Sequence, residues 1–185
     1  MPLRSLQFIL VVVVVFAANY AVTAQTQSPI LEWKELVSAE GKFKMTFPGA
    51  AKRNERETET AAGKVKKIEF GVDTPKGAFL LIYADFPNPT PLTDDQLEAN
   101  YNVLQNGAVT TSNGKLISHR DVRISGKLGR EVVLNLGRQI SKYRLYLIDG
   151  RLFQLITAYD SNFADDAELA KSTDRCLDSF QLIEK

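Results

Sequence analysis

The chain has 185 residues and nearly balanced charge, with 23 Lys and Arg against 22 Asp and Glu. Proteins that hold nucleic acid by neutralising its phosphates carry a strong basic excess, so we expect no nucleic-acid partner. The single cysteine cannot form an intramolecular disulfide, and the single histidine cannot form a multi-histidine metal site.

Residues 1–24 have the pattern of a secretory signal peptide. Arg4 gives a basic start, residues 8–18 are uniformly apolar, and Val22-Thr23-Ala24 supplies small residues for cleavage. The apolar run is shorter than the roughly 20 residues that a membrane-spanning helix needs. We therefore expect cleavage after Ala24, export to the periplasm or the extracellular space, and no stable membrane anchor afterwards.

Residues 25–30 form a polar linker in this interpretation, and residues 31–185 form one α+β domain. In residues 52–60 polar side chains occupy both the odd and the even positions, so a strand there has no apolar face. The segment is therefore either an edge strand or a mobile arm. Residues 78–83 are apolar at consecutive positions, which predicts a strand covered on both faces. The predicted strands span 33–37, 42–47, 65–72, 78–86, 115–124, 131–136, 143–148 and 151–159. The connections among the first four are hairpin length, which implies antiparallel pairing.

Two helices are available to cover the sheet. Thr93 and Gln96 form a capping box for the first helix, and Gly107 is predicted to end it. The second helix is predicted from about Asp165, with Asp165 as its cap, to about Ser179. The apolar stripe of the first helix consists of Leu97, Tyr101, Leu104 and Ala108.

Turns in the chain carry their own signals. Asp149-Gly150 predicts a two-residue type I′ hairpin turn, since both central positions need a positive φ. Ser125-Gly126-Lys127 contains a Gly-Lys pair but lacks the upstream glycine and the following Ser or Thr of a phosphate-binding loop. We therefore exclude nucleotide binding there.

Few residues could carry chemistry. His119 lies in a predicted strand and is interpreted as a surface or half-buried residue, because the motifs of a kinase or a serine hydrolase around it are missing. Cys176 falls on the apolar face of the second helix, which predicts a buried structural thiol. Asp94-Asp95 and Asp165-Asp166 begin helices, where free N–H groups favour carboxylates without any metal ion. The sequence thus predicts no catalytic residue, no cofactor and no metal.

One loop stands out as a candidate partner-docking site. Pro87, Pro89 and Pro91 alternate after the predicted strand 78–86, and Asn88 lies between the first two. Such a rigid segment loses little conformational entropy on docking. The plainer interpretation is a strand-to-helix connector.

Strand and turn residues along most of the domain resemble small exported bacterial proteins of unknown function with the PsbP-like fold, an antiparallel sheet sandwiched between helices. The matching positions are Trp33, Glu40-Gly41-Lys42-Phe43, Phe47-Pro48-Gly49, Gly114-Lys115-Leu116, Gly129-Arg130-Glu131, residues 146–155 and Leu177-Asp178-Ser179-Phe180. The extrinsic PsbP subunit of photosystem II and a Ran-binding nuclear import factor share that fold. The resemblance implies an α/β/α sandwich and a role in binding or assembly, and it carries over no catalytic residue.

The sequence therefore predicts an exported, non-catalytic binding or accessory module for another protein or an envelope assembly. The first alternative is a carrier of a small apolar ligand held between sheet and helix, with Phe79, Leu81, Tyr83 and the helix stripe lining its pocket. The second alternative is an enzyme of unrecognised type. The partner's identity and the oligomeric state are left open.

Overall fold

The computed structural model describes residues 32–60, 63–86 and 91–183. The predicted signal peptide at 1–24, its cleavage site and the linker at 25–30 lie outside these residues. Within the described ranges the elements in chain order are β1 (Lys34–Ser38), β2 (Phe43–Phe47), β3 (Lys52–Thr60), β4 (Gly63–Thr74), β5 (Gly77–Asp85), α1 (Asp94–Ser112), β6 (Lys115–Ile124), β7 (Lys127–Asn135), β8 (Gln139–Ile148), β9 (Arg151–Asp160), a 3₁₀ turn (Ser161–Phe163), α2 (Ala167–Asp178) and β10 (Gln181–Leu182).

Seven strands form the main sheet, in the order β3-β4-β5-β9-β8-β7-β6. Every neighbouring pair is antiparallel, in agreement with the predicted antiparallel sheet. The β5–β9 pairing, with Leu81 opposite Leu155, joins an N-terminal β-meander to a C-terminal one. Asp149 and Gly150 adopt φ of 50° and 79°, which confirms the predicted type I′ turn.

A second, small sheet contains β1, β2 and β10 in the order β1-β2-β10. The sequence predicted the β1–β2 hairpin but not its separation from the main sheet. The Ser179 hydroxyl, just after α2, accepts a hydrogen bond from the Thr46 N–H at 2.8 Å. The Ile183 N–H donates to the Lys42 carbonyl at 2.9 Å. The C-terminal end of the described chain is thereby fixed to the N-terminal hairpin.

Two clusters of buried residues make up the core. The α2-side cluster combines Phe79, Leu81 and Tyr83 of β5 with Leu169, Cys176 and Leu177 of α2 and with Phe43, Met45 and Phe47 of β2. The α1-side cluster combines Ile82 of β5 with Tyr101, Leu104 and Ala108 of α1. Since successive side chains of a strand point to opposite faces, the two clusters lie on the two faces of the sheet. β5 is thus buried on both faces, as its consecutive apolar residues predicted.

Tyr101 fixes α1 to the sheet. Its side chain is fully buried, and its hydroxyl donates to the Leu128 carbonyl at 2.9 Å while accepting from the Leu147 N–H at 2.9 Å. Burial raises the pKa of this hydroxyl to about 12. Both hydrogen-bonding roles of the phenol are therefore used, and the helix is held in one position across β7 and β8.

The start of α1 is confirmed and its predicted end is wrong. Thr93 is the N-cap, and its N–H donates to the Gln96 side-chain oxygen at 2.9 Å. The helix continues through Gly107 to Ser112 and ends at Asn113, which adopts the left-handed conformation with φ 50°. A glycine inside a helix costs about 1 kcal/mol, which the buried stripe on either side of Gly107 offsets.

The predicted start of α2 is displaced by one residue. Asp166, and not Asp165, is the N-cap, and its carboxylate accepts from the N–H groups of Glu168 and Leu169 at 3.0 Å. Lys76, in the β4–β5 turn, binds the same carboxylate at 2.6 Å. These hydrogen bonds lower the pKa of Asp166, with that from Lys76 contributing most. The ion pair with Lys76 favours Asp166 over the adjacent Asp165 as the N-cap. Because Lys76 is far away in the sequence, the local residue pattern could not show this.

The structure decides between the two alternatives for residues 52–60, and it moves the starts of two other strands. Residues 52–60 form the edge strand β3, paired with β4 along its whole length, so the edge-strand alternative is the one the structure bears out. β7 begins at Lys127 instead of 131, and β8 at Gln139 instead of 143. Ser125 and Gly126, with φ of 46° and 77°, form a second two-residue turn that starts β7 early. No described helix is long and apolar enough to cross a membrane.

Candidate functional site

The proline segment connects β5 to α1. Pro87, Asn88 and Pro89 lie outside the described residues, whereas Pro91 is described and exposed. Both flanks are anchored: the Phe86 N–H donates to the Gly150 carbonyl at 2.9 Å, and the capping box at Thr93 begins α1. The docking prediction for this segment is not tested by the geometry and stays a prediction.

Arg151 organises the end of the sheet from which this segment leaves. Its guanidinium binds both carboxylate oxygens of Asp85, at 2.5 and 2.7 Å, and donates to the Gly41 carbonyl at 2.7 Å. It also lies 4.7 Å from the centre of the Tyr83 ring. The hydrogen bonds to Asp85 are the main cause that raises the pKa of Arg151. One side chain therefore joins β9, the end of β5 and the turn after β1.

A second group of charges lies on the outer surface beside it. Glu55 accepts hydrogen bonds from Lys66 at 2.8 Å and from Arg53 at 2.9 Å. Arg53 also reaches Glu40 at 3.3 Å. These bonds, first that from Lys66, lower the pKa of Glu55. All four side chains are solvent-accessible, so the network contributes little to stability and orders the surface of β3 and β4.

Lys67 is the exception among these cations. Its residue surface is 9% exposed. In the β4–β5 ladder it lies opposite Ala84, which is two residues before Phe86. Its amine is not among the fully buried, unpartnered polar atoms of the described chain, so it reaches the solvent. Burial of the side chain lowers its pKa. An incoming carboxylate would supply a counter-ion to this amine.

The His119-Arg120-Asp121 stretch lies on β6, the other edge of the sheet, and His119 is exposed. His119 and Asp121 surround the buried Arg130 of β7. Arg130 donates to Asp121 at 2.8 Å and to Asn102 of α1 at 3.0 Å, and lies 3.2 Å from His119 Nδ1. Because a guanidinium can only donate, Nδ1 must be the acceptor and the neutral ring carries its proton on Nε2. The histidine is thereby engaged in holding Arg130, and its placement as a surface strand residue is confirmed.

A second buried arginine lies on the opposite face. Arg144 of β8 donates to Glu131 of β7 at 2.7 Å and to Asp178 of α2 at 2.6 Å. Arg120 adds a third contact, at 2.8 Å, to the other oxygen of Glu131. Neither arginine site was predicted from the sequence, because the partners come from distant elements. The one available signal was the pair Arg130-Glu131 inside a strand that is otherwise apolar on both faces.

Cys176 is fully buried, and burial raises the pKa of its thiol to about 12. A thiol with so little thiolate is a poor nucleophile at neutral pH. The prediction of a buried structural cysteine is confirmed. Its neighbours in the α2-side cluster are apolar, which explains why the thiol stays protonated.

The pocket proposed for a carrier does not form. Phe79, Leu81 and Tyr83 belong to the α2-side cluster, whereas the stripe of α1 belongs to the α1-side cluster, so they do not face each other. Between α1 and the sheet lies a cavity of about 10 Å³. This is room for about one water molecule, and it contacts the buried Gln105, whose Oε1 has no hydrogen-bond partner. The predicted lining failed because Phe79, Leu81 and Tyr83 share the face of β5 that turns toward α2, whereas the intervening Leu80 and Ile82 turn toward α1.

Comparison with solved structures identifies the architecture. The solution structure of cyanobacterial PsbP (CyanoP) from Synechocystis sp. PCC 6803 aligns with a TM-score of 0.57 and 12% sequence identity, over 87% of this chain and 98% of that one. The fold is PsbP-like. A crystal structure from Bacteroides thetaiotaomicron VPI-5482 aligns at a TM-score of 0.41 and 13% identity, over 82% of this chain and 49% of that one. No family model and no curated protein matches the sequence.

The PsbP-like fold was predicted from strand and turn residues. The structure shows that two of these residues, both glycines, leave space for neighbouring side chains. Gly129 lies opposite Tyr146 in the β7–β8 ladder, and a Cβ at that position would come within 2.4 Å of the tyrosine ring. Gly41 likewise leaves room for the Phe43 ring and the Ser38 hydroxyl. These positions belong to the architecture, and at 12% identity the likeness carries the fold alone.

Proposed function

We propose that this protein is an exported, non-catalytic accessory module that binds another protein. One observation carries the non-catalytic part: the one histidine and the one cysteine of the chain are both used structurally. His119 accepts from Arg130 at the sheet edge, and Cys176 is buried with its pKa raised to about 12. Acid–base or nucleophilic chemistry would have to rely on carboxylates and amines alone.

We also infer a helix–sheet–helix sandwich for the domain. The support is the division of the core, because α1 and α2 contribute to clusters that contain alternate residues of the same strand. Such an arrangement leaves function to the sheet ends, the strand edges and the loops, since both faces are occupied over much of their area.

The end of the sheet near the proline segment is the docking site that we propose. Its flanks are fixed by Phe86 and Thr93, so the segment between them is held at both ends. Lys67 lies beside it with a largely buried side chain whose amine reaches the solvent, which favours a partner that presents a carboxylate. The electrically balanced composition supports a protein partner over a nucleic acid.

Photo-crosslinking tests this docking site. A photoreactive residue at Pro91, which is exposed, should link to a partner in the native cell envelope, and one at the exposed Glu98 of α1 should not. Replacing Pro87, Pro89 and Pro91 with Ala should weaken capture of the same partner more than it lowers the melting temperature. Equal labelling from both positions, or unchanged capture by the triple variant, would remove the segment from the proposal.

Export is tested separately. The basic Arg4, the apolar run and Val22-Thr23-Ala24 support cleavage before Gln25. Protein recovered from outside the cytoplasm should therefore begin at Gln25 by N-terminal sequencing. Recovery only with an intact Met1 in a membrane fraction would show that residues 1–24 serve as an anchor.

A further inference from the structure

β6 is a terminal strand of the main sheet and pairs only with β7 among the described strands. Seven of its ten residues, from Lys115 to Asp121, are consecutively exposed. A strand in this position presents a row of backbone N–H and C=O groups that a further strand could use. A β-bulge interrupts the ladder between Leu116 and Ser118, so the regular part of the edge runs from Ser118 to Ile124.

The opposite edge, β3, is protected in a way that β6 is not. Six of the nine residues of β3 are charged, and the charges fall on both faces of the strand. In the regular part of β6 only three of seven residues are charged, and each is paired within the molecule, as Arg53 and Glu55 are on β3. Arg120 binds Glu131 at 2.8 Å, Asp121 binds Arg130 at 2.8 Å, and Arg123 binds Asp94 at 3.1 Å. The charged side chains of β6 therefore disfavour pairing with a further strand less than those of β3 do.

Symmetry restricts how two copies could pair through β6. Antiparallel edge-to-edge pairing needs a two-fold axis perpendicular to the sheet, which keeps the α1 sides of both copies on the same face. Residues opposite each other must then come from the same face of each copy. It follows that one residue of the strand lies on the axis, opposite its own copy.

The charges select one register. An axis at Arg120, Asp121 or Arg123 places like charges directly opposite each other, which is unfavourable. An axis at Ser118 or His119 draws the bulge into the new ladder, and an axis at Ile124 draws in the Ser125–Gly126 turn. An axis at Val122 avoids all of these. It places Asp121 of each copy opposite Arg123 of the other.

We infer that β6 is a self-association edge, where a second copy of this chain pairs antiparallel about Val122 and the two seven-stranded sheets become one. The Asp121–Arg123 pairs form twice, on the α1 side, and Arg120 lies opposite Ile124 on the other side. The interface is short, so the dimer is a concentration-dependent one.

Cysteine cross-linking tests the register. Residues directly opposite in an antiparallel pair have Cα atoms about 4.5–5.5 Å apart, within the range of a disulfide. Val122→Cys should therefore give a disulfide-linked dimer on mild oxidation, whereas Thr58→Cys on β3 should stay monomeric. Cys176 is fully buried and does not compete. Equal cross-linking of the two variants, or none of Val122→Cys, would contradict the inference.

Sedimentation velocity over a concentration series provides the second test. Wild type should show a monomer–dimer equilibrium, and Arg123→Asp, which places Asp opposite Asp121 twice, should weaken it roughly tenfold or more. Lys52→Asp makes the same charge change on the exposed β3 edge and should leave the equilibrium unchanged. A wild type that is monomeric at every concentration, or Arg123→Asp that dimerises like wild type, would overturn the inference, and circular dichroism checks that each variant is folded.

Discussion

Two buried guanidinium groups lie on opposite faces of the same part of the sheet, and the protein neutralises them differently. Arg144 meets two carboxylates, those of Glu131 and Asp178. Arg130 meets one carboxylate, that of Asp121, together with an amide and an imidazole nitrogen. On the α2 side the main counter-ion is buried as well, since the Glu131 side chain is only 7% exposed. On the α1 side the counter-ion Asp121 is 55% exposed.

The difference decides which site tolerates change. A buried pair that loses one partner leaves an uncompensated charge away from water, which costs several kcal/mol. An arginine whose partners are exposed can replace a lost partner by water at a smaller cost. The α2 side is therefore the more rigid requirement of the fold, and the α1 side is the more adaptable one.

The largest effect is expected at Glu131. Glu131→Gln removes the charge shared by Arg144 and Arg120, and the free energy of unfolding should fall by about 3 kcal/mol. Urea unfolding measures this. Glu57→Gln on β3 is the matched control, because Glu57 is exposed and should change the result little. A loss at Glu131 no larger than in the control would show that water already reaches this pair.

The same residue predicts a pH dependence. Burial alone would raise the pKa of Glu131, but hydrogen bonds from Arg120 and Arg144 outweigh it, and the pKa lies below its ordinary value of 4.5. A carboxylate whose pKa is lower in the folded state stabilises the protein above the unfolded value, and this stability is lost as the pH falls through the folded value. The stability difference between wild type and Glu131→Gln should therefore be constant near neutrality and shrink below pH 4.5. Unfolding curves at several pH values measure it, and a difference that persists in acid would contradict the assignment.

Local sequence signals predicted the helices, strands and turns named below, but they did not predict the two buried arginine sites. The capping box at Thr93, the Asp149–Gly150 turn and the apolar run in β5 are each encoded within a few neighbouring residues. The partners of Arg130 and Arg144 come from strands and helices far along the chain, so no spacing rule relates them. Charged residues are also rarely buried, which made the surface the better expectation for both. The Asp166 cap was misplaced for the same reason, since a distant lysine decides it.

A smaller effect is expected on the α1 side. Asp121→Asn removes the one carboxylate that binds Arg130, and the free energy of unfolding should fall by about 1.5 kcal/mol, the scale of a hydrogen bond to a charged group. The loss is smaller than at Glu131 because Asn102 remains and water reaches the site. Urea unfolding beside Asp73→Asn, an exposed position on β4, measures it. Equal losses at Asp121 and Glu131 would abolish the contrast between the two faces.

The smallest effect is expected at His119. His119→Ala removes one acceptor from a guanidinium that keeps Asp121 and Asn102, so the loss should be about 0.5 kcal/mol. The same substitution made together with Asp121→Asn should cost more than it does alone, because Arg130 then has no charged partner and keeps only amide oxygens as acceptors. A double-mutant cycle measures that coupling. Strict additivity would show that the histidine merely lies beside Arg130.

Abolition of a turnover activity by His119→Ala, with the fold intact, would instead make the histidine catalytic and reverse the proposal that the protein only binds.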